Sequence, residues 1–412
     1  MYKRQQLGSF TKVIQLEEDH GIRCERGEAP DGGRAVFTIQ EHPLGAYIGK
    51  IRDAATLAKD NGVSKVTVVH KGNVLSDAHG KLNEKDLVVL IDEIKKTHGV
   101  TLEFKLFDAA MAYIVKDPNH IGVIVSDRVF GSVLENFIEA VKSGKRSIID
   151  PSKSITILRQ QSEGDYAKKI EGHESCTEGS IFNLVGIQIG MHSEKAIDRH
   201  VRGSIDYAKK RGATEIGLLH MKSILGEAYE LWLERAEMIA KDKNITLVPI
   251  DGSELGEKAV GDVSSIPDFL ITCNLGGDWA ADLFAALCAK GSLALGPSLN
   301  MNPDFGDRDV ANNGFYVESI HGSGDPSIRP LTNDEGREIS RQNKANPIGA
   351  QASVAMMLDG LGLHDSAQIQ RDAIADTLQS GVKTGDLDGH ASTTDFGDQV
   401  RVNIRKLYDQ KS

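Results

Sequence analysis

The segment Asn274-Leu275-Gly276-Gly277-Asp278-Trp279-Ala280-Ala281-Asp282 follows an apolar stretch, Phe269–Cys273, and runs into a helical pattern. Asp278 and Asp282 are four residues apart, so on a helix their carboxylates share one face. Two carboxylates so placed offer hard oxygen donors to Mg²⁺ or Mn²⁺. The same pair near a helix start would also serve the helix dipole. His70-Lys71-Gly72-Asn73-Val74 closes a second apolar stretch, Lys65–His70. A lysine leaving a buried strand is partly desolvated, which lowers its pKa and suits it to proton transfer; a solvated lysine in a turn would be spelled the same way. Arg159-Gln160-Gln161-Ser162-Glu163-Gly164-Asp165-Tyr166 joins an arginine able to clamp a carboxylate through paired hydrogen bonds to a tyrosine able to act as a general acid. Glu318-Ser319-Ile320-His321-Gly322-Ser323-Gly324-Asp325-Pro326 is a Gly/Ser-rich turn whose backbone N–H groups can cradle phosphate, or a plain flexible loop.

These groups need a scaffold, and the chain alternates strand and helix patterns. Helix is expected over Ala46–Asn61, Val88–Lys96, Glu227–Lys241, Trp279–Ala289, Gly349–Leu361 and Ser366–Gln379. Strand is expected over Lys65–His70, Thr101–Phe107, Ile121–Val125, Glu215–His220, Thr246–Ile250 and Phe269–Cys273. Such alternation predicts an α/β fold with a largely parallel or mixed sheet. Glu25–Arg34 and Gly322–Asn346 read as loop-rich. Ala54–Leu75 aligns without gaps to Ser204–Leu225 at an offset of 150 residues, with Ala58, Lys59, Gly62, His70 and Leu75 matching Ala208, Lys209, Gly212, His220 and Leu225. Ile121–Asn136 resembles Asp268–Asp282. Two landmarks in the same order predict an internal repeat.

Composition narrows the partners. The 412 residues carry a formal net charge of −11 with no basic block, which disfavours nucleic acid and anionic membranes. No apolar run approaches the roughly 18 residues of a membrane span. Cys24, Cys176, Cys273 and Cys288 are widely spaced and form no CxxC pair, so neither a zinc site nor a disulfide framework is expected and a cytoplasmic location fits. Met1–Gln5 reads as a non-native leader and Gly8–Lys12 as mid-domain loop, so the chain is expected to lack its native start.

In this order the motifs resemble the isocitrate and isopropylmalate dehydrogenase family. His70–Val74 resembles its lysine motif, and Arg159–Tyr166 its Arg-to-Tyr loop in the isocitrate form, with Ser162-Glu163. Asn274–Asp282 resembles its metal motif, with Ala281 where serine is usual. Glu318–Pro326 resembles the cofactor loop, followed by Asn346-Pro347 and by an NAD-type segment, Lys383-Thr384-Gly385-Asp386-Leu387-Asp388-Gly389; Phe396-Gly397-Asp398 also fits. The resemblance implies oxidative decarboxylation of isocitrate with NAD(P) reduction, or of the related 3-isopropylmalate or homoisocitrate; a non-catalytic regulatory subunit is a further alternative. It implies a metal site at Asp108, Asp278 and Asp282, with Lys71 and Tyr166 as catalytic groups and Arg159 and Asn73 on a di- or tricarboxylate substrate. It implies cofactor contacts from His321, Gly322, Ser323, Ile328, Asn346 and Asp386. NAD is favoured, since Pro326-Ser327-Ile328 stands where NADP members carry Lys-Tyr, and NADP stays open.

The two copies differ in a complementary way. Family dimers build each site from two aspartates, a tyrosine and an arginine of one subunit and a lysine and third aspartate of the other. Here the first copy has Lys71 and Asp108 but Ser132 and Asn136 at the paired-aspartate positions. The second has Asp278 and Asp282 but Met221 at the lysine position. One intact site in a fused pseudo-dimer is expected, either as a monomer or within a homo-oligomer. The expected division is 6–150 for the lysine-donating half, 151–290 for the aspartate half, and 291–412 for part of a cofactor-binding domain.

Overall fold

The computed structural model describes residues 12–15, 22–30, 32–71, 88–116, 122–142, 156–159, 170–175, 184–288, 297–300, 316–319 and 342–411. The chain divides into two compact units, Met1–Gly291 and Ser292–Ser412.

The first unit is built from one motif used twice. In the first half, β1 (Lys12–Gln15), β4 (Lys65–His70), β5 (Thr101–Leu106) and β6 (Val123–Ser126) form a parallel sheet in the order β1-β6-β4-β5. In the second half, β7 (Thr156–Arg159), β10 (Glu215–His220), β11 (Thr246–Asp251) and β12 (Phe269–Thr272) repeat that order as β7-β12-β10-β11. Helices α1 (Leu44–Asp60), α2 (Val88–His98), α3 (Phe107–Lys116) and α4 (Arg128–Lys142) alternate with the first set of strands. α5 (Glu194–Lys209), α6 (Lys222–Asp242), α7 (Gly252–Gly261) and α8 (Asn274–Cys288) alternate with the second.

Local chemistry explains why the copies fold alike. In α1 the buried Tyr47, Ile48, Ile51, Ala54, Ala55 and Ala58 recur at helical spacing and pack with Val66 and Val68 of β4. The helix is followed by Gly62 at φ +69, whose N–H reaches Lys59 O while Val63 N–H reaches Ala58 O. Gly212, at φ +83, follows α5 with the same pair of bonds, to Lys209 O and Ala208 O. This two-bond stop needs a left-handed residue, which is why glycine recurs at both positions.

The halves are joined by a third sheet, antiparallel, in the order β2-β3-β9-β8, from β2 (Ile22–Glu28), β3 (Arg34–Pro43), β8 (Ile170–Ser175) and β9 (Leu184–Ser193). β3 pairs with β9 so that Ile39 faces Ile189, its own counterpart at the 150-residue offset. A residue opposite its equivalent marks a two-fold axis, as in a self-complementary dimer interface. The helices obey the same symmetry: α3 packs on α8, and α4 on α7. One apolar core runs through both halves, from Phe107, Phe130 and Phe137 to Trp232 and Trp279.

Several expectations shift. Glu25–Arg34 is not a loop throughout: Glu25–Glu28 belongs to β2 and Arg34 opens β3, and only the turn between them is irregular. Glu25 to Glu28 are exposed in succession, with charged residues on both faces of the strand, so the spelling shows no alternation there. The strand expected over Thr101–Phe107 stops at Leu106, because Phe107 opens α3. Lys12, expected in a loop, begins β1. The helix expected from Trp279 begins at Asn274.

The second unit contains β13 (Pro297–Asn300) antiparallel to β14 (Tyr316–Ser319), and helices α9 (Ile348–Gly360), α10 (His364–Gln379) and α11 (Thr393–Lys411). Phe396 and Val400 of α11 bury against Ala373 of α10. Asn403 donates to Thr377 Oγ1 at 2.9 Å across the same contact.

Gly217 tests the tightness of the second sheet. A Cβ there would lie 2.3 Å from Leu270 Cδ2 on the neighbouring strand. Gly217→Ala is expected to destabilise the chain by about 1–3 kcal/mol through overpacking, read as a lower midpoint in chemical denaturation.

Candidate active site

Lys71 follows the last residue of β4, an inner strand of the first sheet, and is 2% exposed. Asp278 and Asp282 lie on α8 of the other half. Because α8 begins at Asn274, Asp278 is in its second turn, and no acidic residue occupies the first. The helix-dipole reading of the pair therefore fails, and their shared face is left to explain. That face turns to the first half: Lys71 Nζ lies 2.7 Å from Asp278 Oδ2 and 3.8 Å from Asp282 Oδ2. Their side chains keep 19% and 27% exposure. An ammonium taken almost wholly out of water is held by two carboxylates that still reach solvent.

Beside it, burial and then the charge of Lys71 lower the His70 pKa from 6.5 to about 4. Tyr47 donates to Val69 O at 3.1 Å, and burial raises its phenol well above its usual value. Asp127, which caps α4 by accepting from Phe130 N–H at 2.9 Å, is pushed up by burial to about 7.

Asp127 sets a pH signature. Its folded pKa is raised from 3.8 to about 7, so the native chain holds a proton that the unfolded chain releases as pH rises through that window. Stability falls over the window and levels above it. His70, lowered to about 4, acts oppositely, costing stability as pH falls below 6.5. Asparagine caps helices as well as aspartate. Asp127→Asn is therefore expected to gain stability over the parent at pH 8 and little or none at pH 4, measured by denaturation at both.

The sheet registers identify the counterparts of the site. Thr67 pairs with Ile124, and its equivalent Gly217 with Leu270, which sets Ser132 and Asn136 at the positions of Asp278 and Asp282. Lys65 pairs with Thr101 and Glu215 with Thr246, which sets Ser253 at the position of Asp108. Met221, 1% exposed, sits where the first half has Lys71. The symmetry-related position thus holds Met221, Ser253, Ser132 and Asn136, with no carboxylate among them, and Asn136 Nδ2 donates across the halves to Ser253 O at 2.8 Å. The counterpart of Asp108 is not evident in sequence because the link between the repeated strands differs in length; Asp251, which caps α7, and Gly252-Ser253, which open it, mark the place.

Of the other expected site residues, Asp108 lies in α3, which packs on α8, and Arg159 ends β7 beside β12; their side chains lie outside the described residues, as do Asn73 and Tyr166 entirely. His321, Gly322, Ser323 and Ile328 also lie outside them. In the second unit, Asn346 Oδ1 accepts from Ile348 N–H at 2.9 Å at the start of α9. Asp386 falls in a 3-10 turn, Gly385–Leu387. That segment is drawn tight: a Cβ on Gly389 would meet Lys383 O at 2.0 Å.

Two carboxylates on one helical face, partly exposed and already holding a positive charge, are a donor set that suits a hard divalent cation. Among the described residues no group of three metal-ligating side chains occurs. No described helix is long and apolar enough to cross a membrane.

The family model for isocitrate/isopropylmalate dehydrogenase matches residues 32–144 and 136–400, once per copy of the repeat. Subunit 2 of the mitochondrial NAD isocitrate dehydrogenase of Saccharomyces cerevisiae is 30% identical over 252 residues, 60% of each chain. The isocitrate/homoisocitrate dehydrogenase of Thermus thermophilus is 28% identical over 304 residues, 73% of this chain and 80% of its own. The 3-isopropylmalate dehydrogenase of Thermobifida fusca is 29% identical over 256 residues, 60% and 62%. The chain spans 60% of the length of the yeast relatives it matches. The crystal structure of isocitrate dehydrogenase from Methylococcus capsulatus shares the fold, with a TM-score of 0.50 at 20% identity, covering 83% of this chain and 100% of that one.

Proposed function

Because the chain belongs to the isocitrate/isopropylmalate dehydrogenase family, we propose that it oxidatively decarboxylates a 2-hydroxy acid, isocitrate foremost, at one site shared by its two halves. The observation that carries this reading is the 2.7 Å approach of Lys71 from one half to Asp278 of the other, with neutral residues at the symmetry-related position. Isocitrate is favoured by Ser162-Glu163 and by the lysine motif. The Thermus relative, named for both isocitrate and homoisocitrate, keeps the longer substrate in view.

Asp278, Asp282 and Asp108 hold Mg²⁺ or Mn²⁺ in this reading, and NAD, or alternatively NADP, is the second cofactor. When bound, the cation supplies Lewis acidity towards the substrate's oxygens, and the nicotinamide supplies a hydride acceptor. Lys71, desolvated and beside the metal carboxylates, takes the hydroxyl proton through water once it has itself given up a proton to become the neutral amine. Tyr166 returns a proton to the carbon that loses CO₂. Arg159 pairs with a substrate carboxylate, and Asn73 is a second substrate-binding group. His321, Gly322, Ser323, Ile328, Asn346 and Asp386 serve the dinucleotide.

The test is a rate comparison of the chain with isocitrate, homoisocitrate and 3-isopropylmalate, each with NAD and with NADP, in Mn²⁺. The expected result is NAD reduction that is fastest with isocitrate and abolished by EDTA. Reduction undiminished by EDTA would sink the metal reading, and preference for another acid would move the substrate.

A further inference from the structure

The symmetry-related position has lost its ionisable groups, yet it is built with care. Gly252 opens α7 where the first half has Phe107, and a Cβ on Gly252 would lie 3.0 Å from Trp279 Cζ2, 3.1 Å from Met221 Cγ and 3.4 Å from His220 O. One turn on, a Cβ on Gly256 would meet Phe137 Cβ at 3.2 Å and its Cα at 3.3 Å. The two glycines, four apart, share one face of α7 and let it close on α4 of the other half and on the Trp279 indole together. Trp279 is fully buried and directly follows Asp278 on α8. Its place in the first half is taken by Val133, and Phe107 and Phe130 supply the bulk there instead, with ring centroids 4.6 Å apart. Aromatic volume has thus moved onto α8, next to the residue that faces Lys71.

We propose that the degenerate counterpart of the site acts as a joint that positions Asp278: Met221 and Gly252 seat Trp279, and the seat fixes the rotation and height of α8 against Lys71. Met221, Gly252 and Asn136 are positioning residues in this view. Asn136 ties the start of α7 to α4 through Ser253 O. The joint itself takes no cation, so each chain binds one. The inference rests on the assignment of Asp278 to the cation.

The experiment titrates the full chain with Mn²⁺, following free Mn²⁺ by its paramagnetic resonance signal, alongside thermal denaturation. Wild type is expected to take up one Mn²⁺. Gly252→Ala crowds the seat and is expected to weaken Mn²⁺ binding by about fivefold or more, in the range of indirect couplings. Met221→Ala added to Gly252→Ala restores room and is expected to recover most of that loss. Val66→Ala, a core truncation in the first sheet, serves as the control: it lowers stability and leaves Mn²⁺ affinity unchanged. Asn136→Ala, which deletes only a surface hydrogen bond, is expected to weaken binding in the same direction by a smaller factor, and reports on the joint if Gly252→Ala does not fold. Wild-type Mn²⁺ uptake with Gly252→Ala, or with Asn136→Ala in its stead, binding as tightly as wild type overturns the joint alone, as does a second equivalent of Mn²⁺. Absence of Mn²⁺ uptake by wild type overturns the metal assignment, and the joint with it.

Discussion

Lys71→Met is expected to lower turnover by about 10³-fold or more, the scale of a lost general base, while the chain stays folded. Methionine already fills the equivalent buried position as Met221, 1% exposed, so this backbone accepts the side chain there. The substitution removes a buried ammonium together with its attraction to Asp278 at 2.7 Å. Removing one partner strands the other, but Asp278 and Asp282 keep 19% and 27% exposure, so the loss is expected to stay below that of breaking a fully buried pair, at about 1–2 kcal/mol. Mn²⁺ affinity is expected to hold or rise, because a positive charge has left the carboxylates. Steady-state rates, a denaturation curve and a Mn²⁺ titration on one preparation check all three. Near wild-type turnover would remove Lys71 from the chemistry.

Asp278→Asn has the other large effect, and it strikes stability as well as activity. The 2.7 Å contact with Lys71 loses its charge, for an amine side chain that is 2% exposed, and Asp282 stands farther off, at 3.8 Å. Taking one partner from a buried pair strands the other charge, and the expected loss is about 2–4 kcal/mol. Mn²⁺ affinity should fall by about 100-fold or more, at least the loss known for groups one shell further from a metal, and turnover should vanish. The double variant Lys71→Met/Asp278→Asn should recover much of the stability and none of the activity. A double variant no more stable than Asp278→Asn would show that the pair carries no coupling.

The contrast between these variants reflects which features could be read before folding. The repeat was legible because it is enforced by local rules: glycine stops at Gly62 and Gly212, and buried strands at β4 and β10, recur for physical reasons that leave the same letters. The complementary loss of Lys71 and Asp278 partners was legible for the same reason, since a gap-free alignment sets Met221 opposite Lys71. The joining sheet was not. β2 and β3 form a two-sided ribbon with Arg23, Glu25 and Arg26 interleaved among apolar residues, and nothing in that spelling says that β3 pairs with β9 about Ile39 and Ile189. Nor did the sequence show where α8 starts. Asn274-Leu275-Gly276-Gly277 looks like a loop, but Gly276 is demanded by Thr272 Oγ1, 2.2 Å from where a Cβ would stand. The counterpart of Asp108 was hidden by a change in link length, and only the strand register revealed Ser253.

Mixing the two inactive single variants tests the shared site most directly. If the site forms between halves of one chain, Lys71→Met supplies its own Asp278 to a missing lysine, and Asp278→Asn supplies its own Lys71 to a missing aspartate; neither can help the other. Refolding the two together should therefore give no activity above that of each alone, against wild type carried through the same cycle. Activity rising towards a quarter of wild type in the mixture would mean that Lys71 of one molecule meets Asp278 of another, and the single-chain site would be wrong.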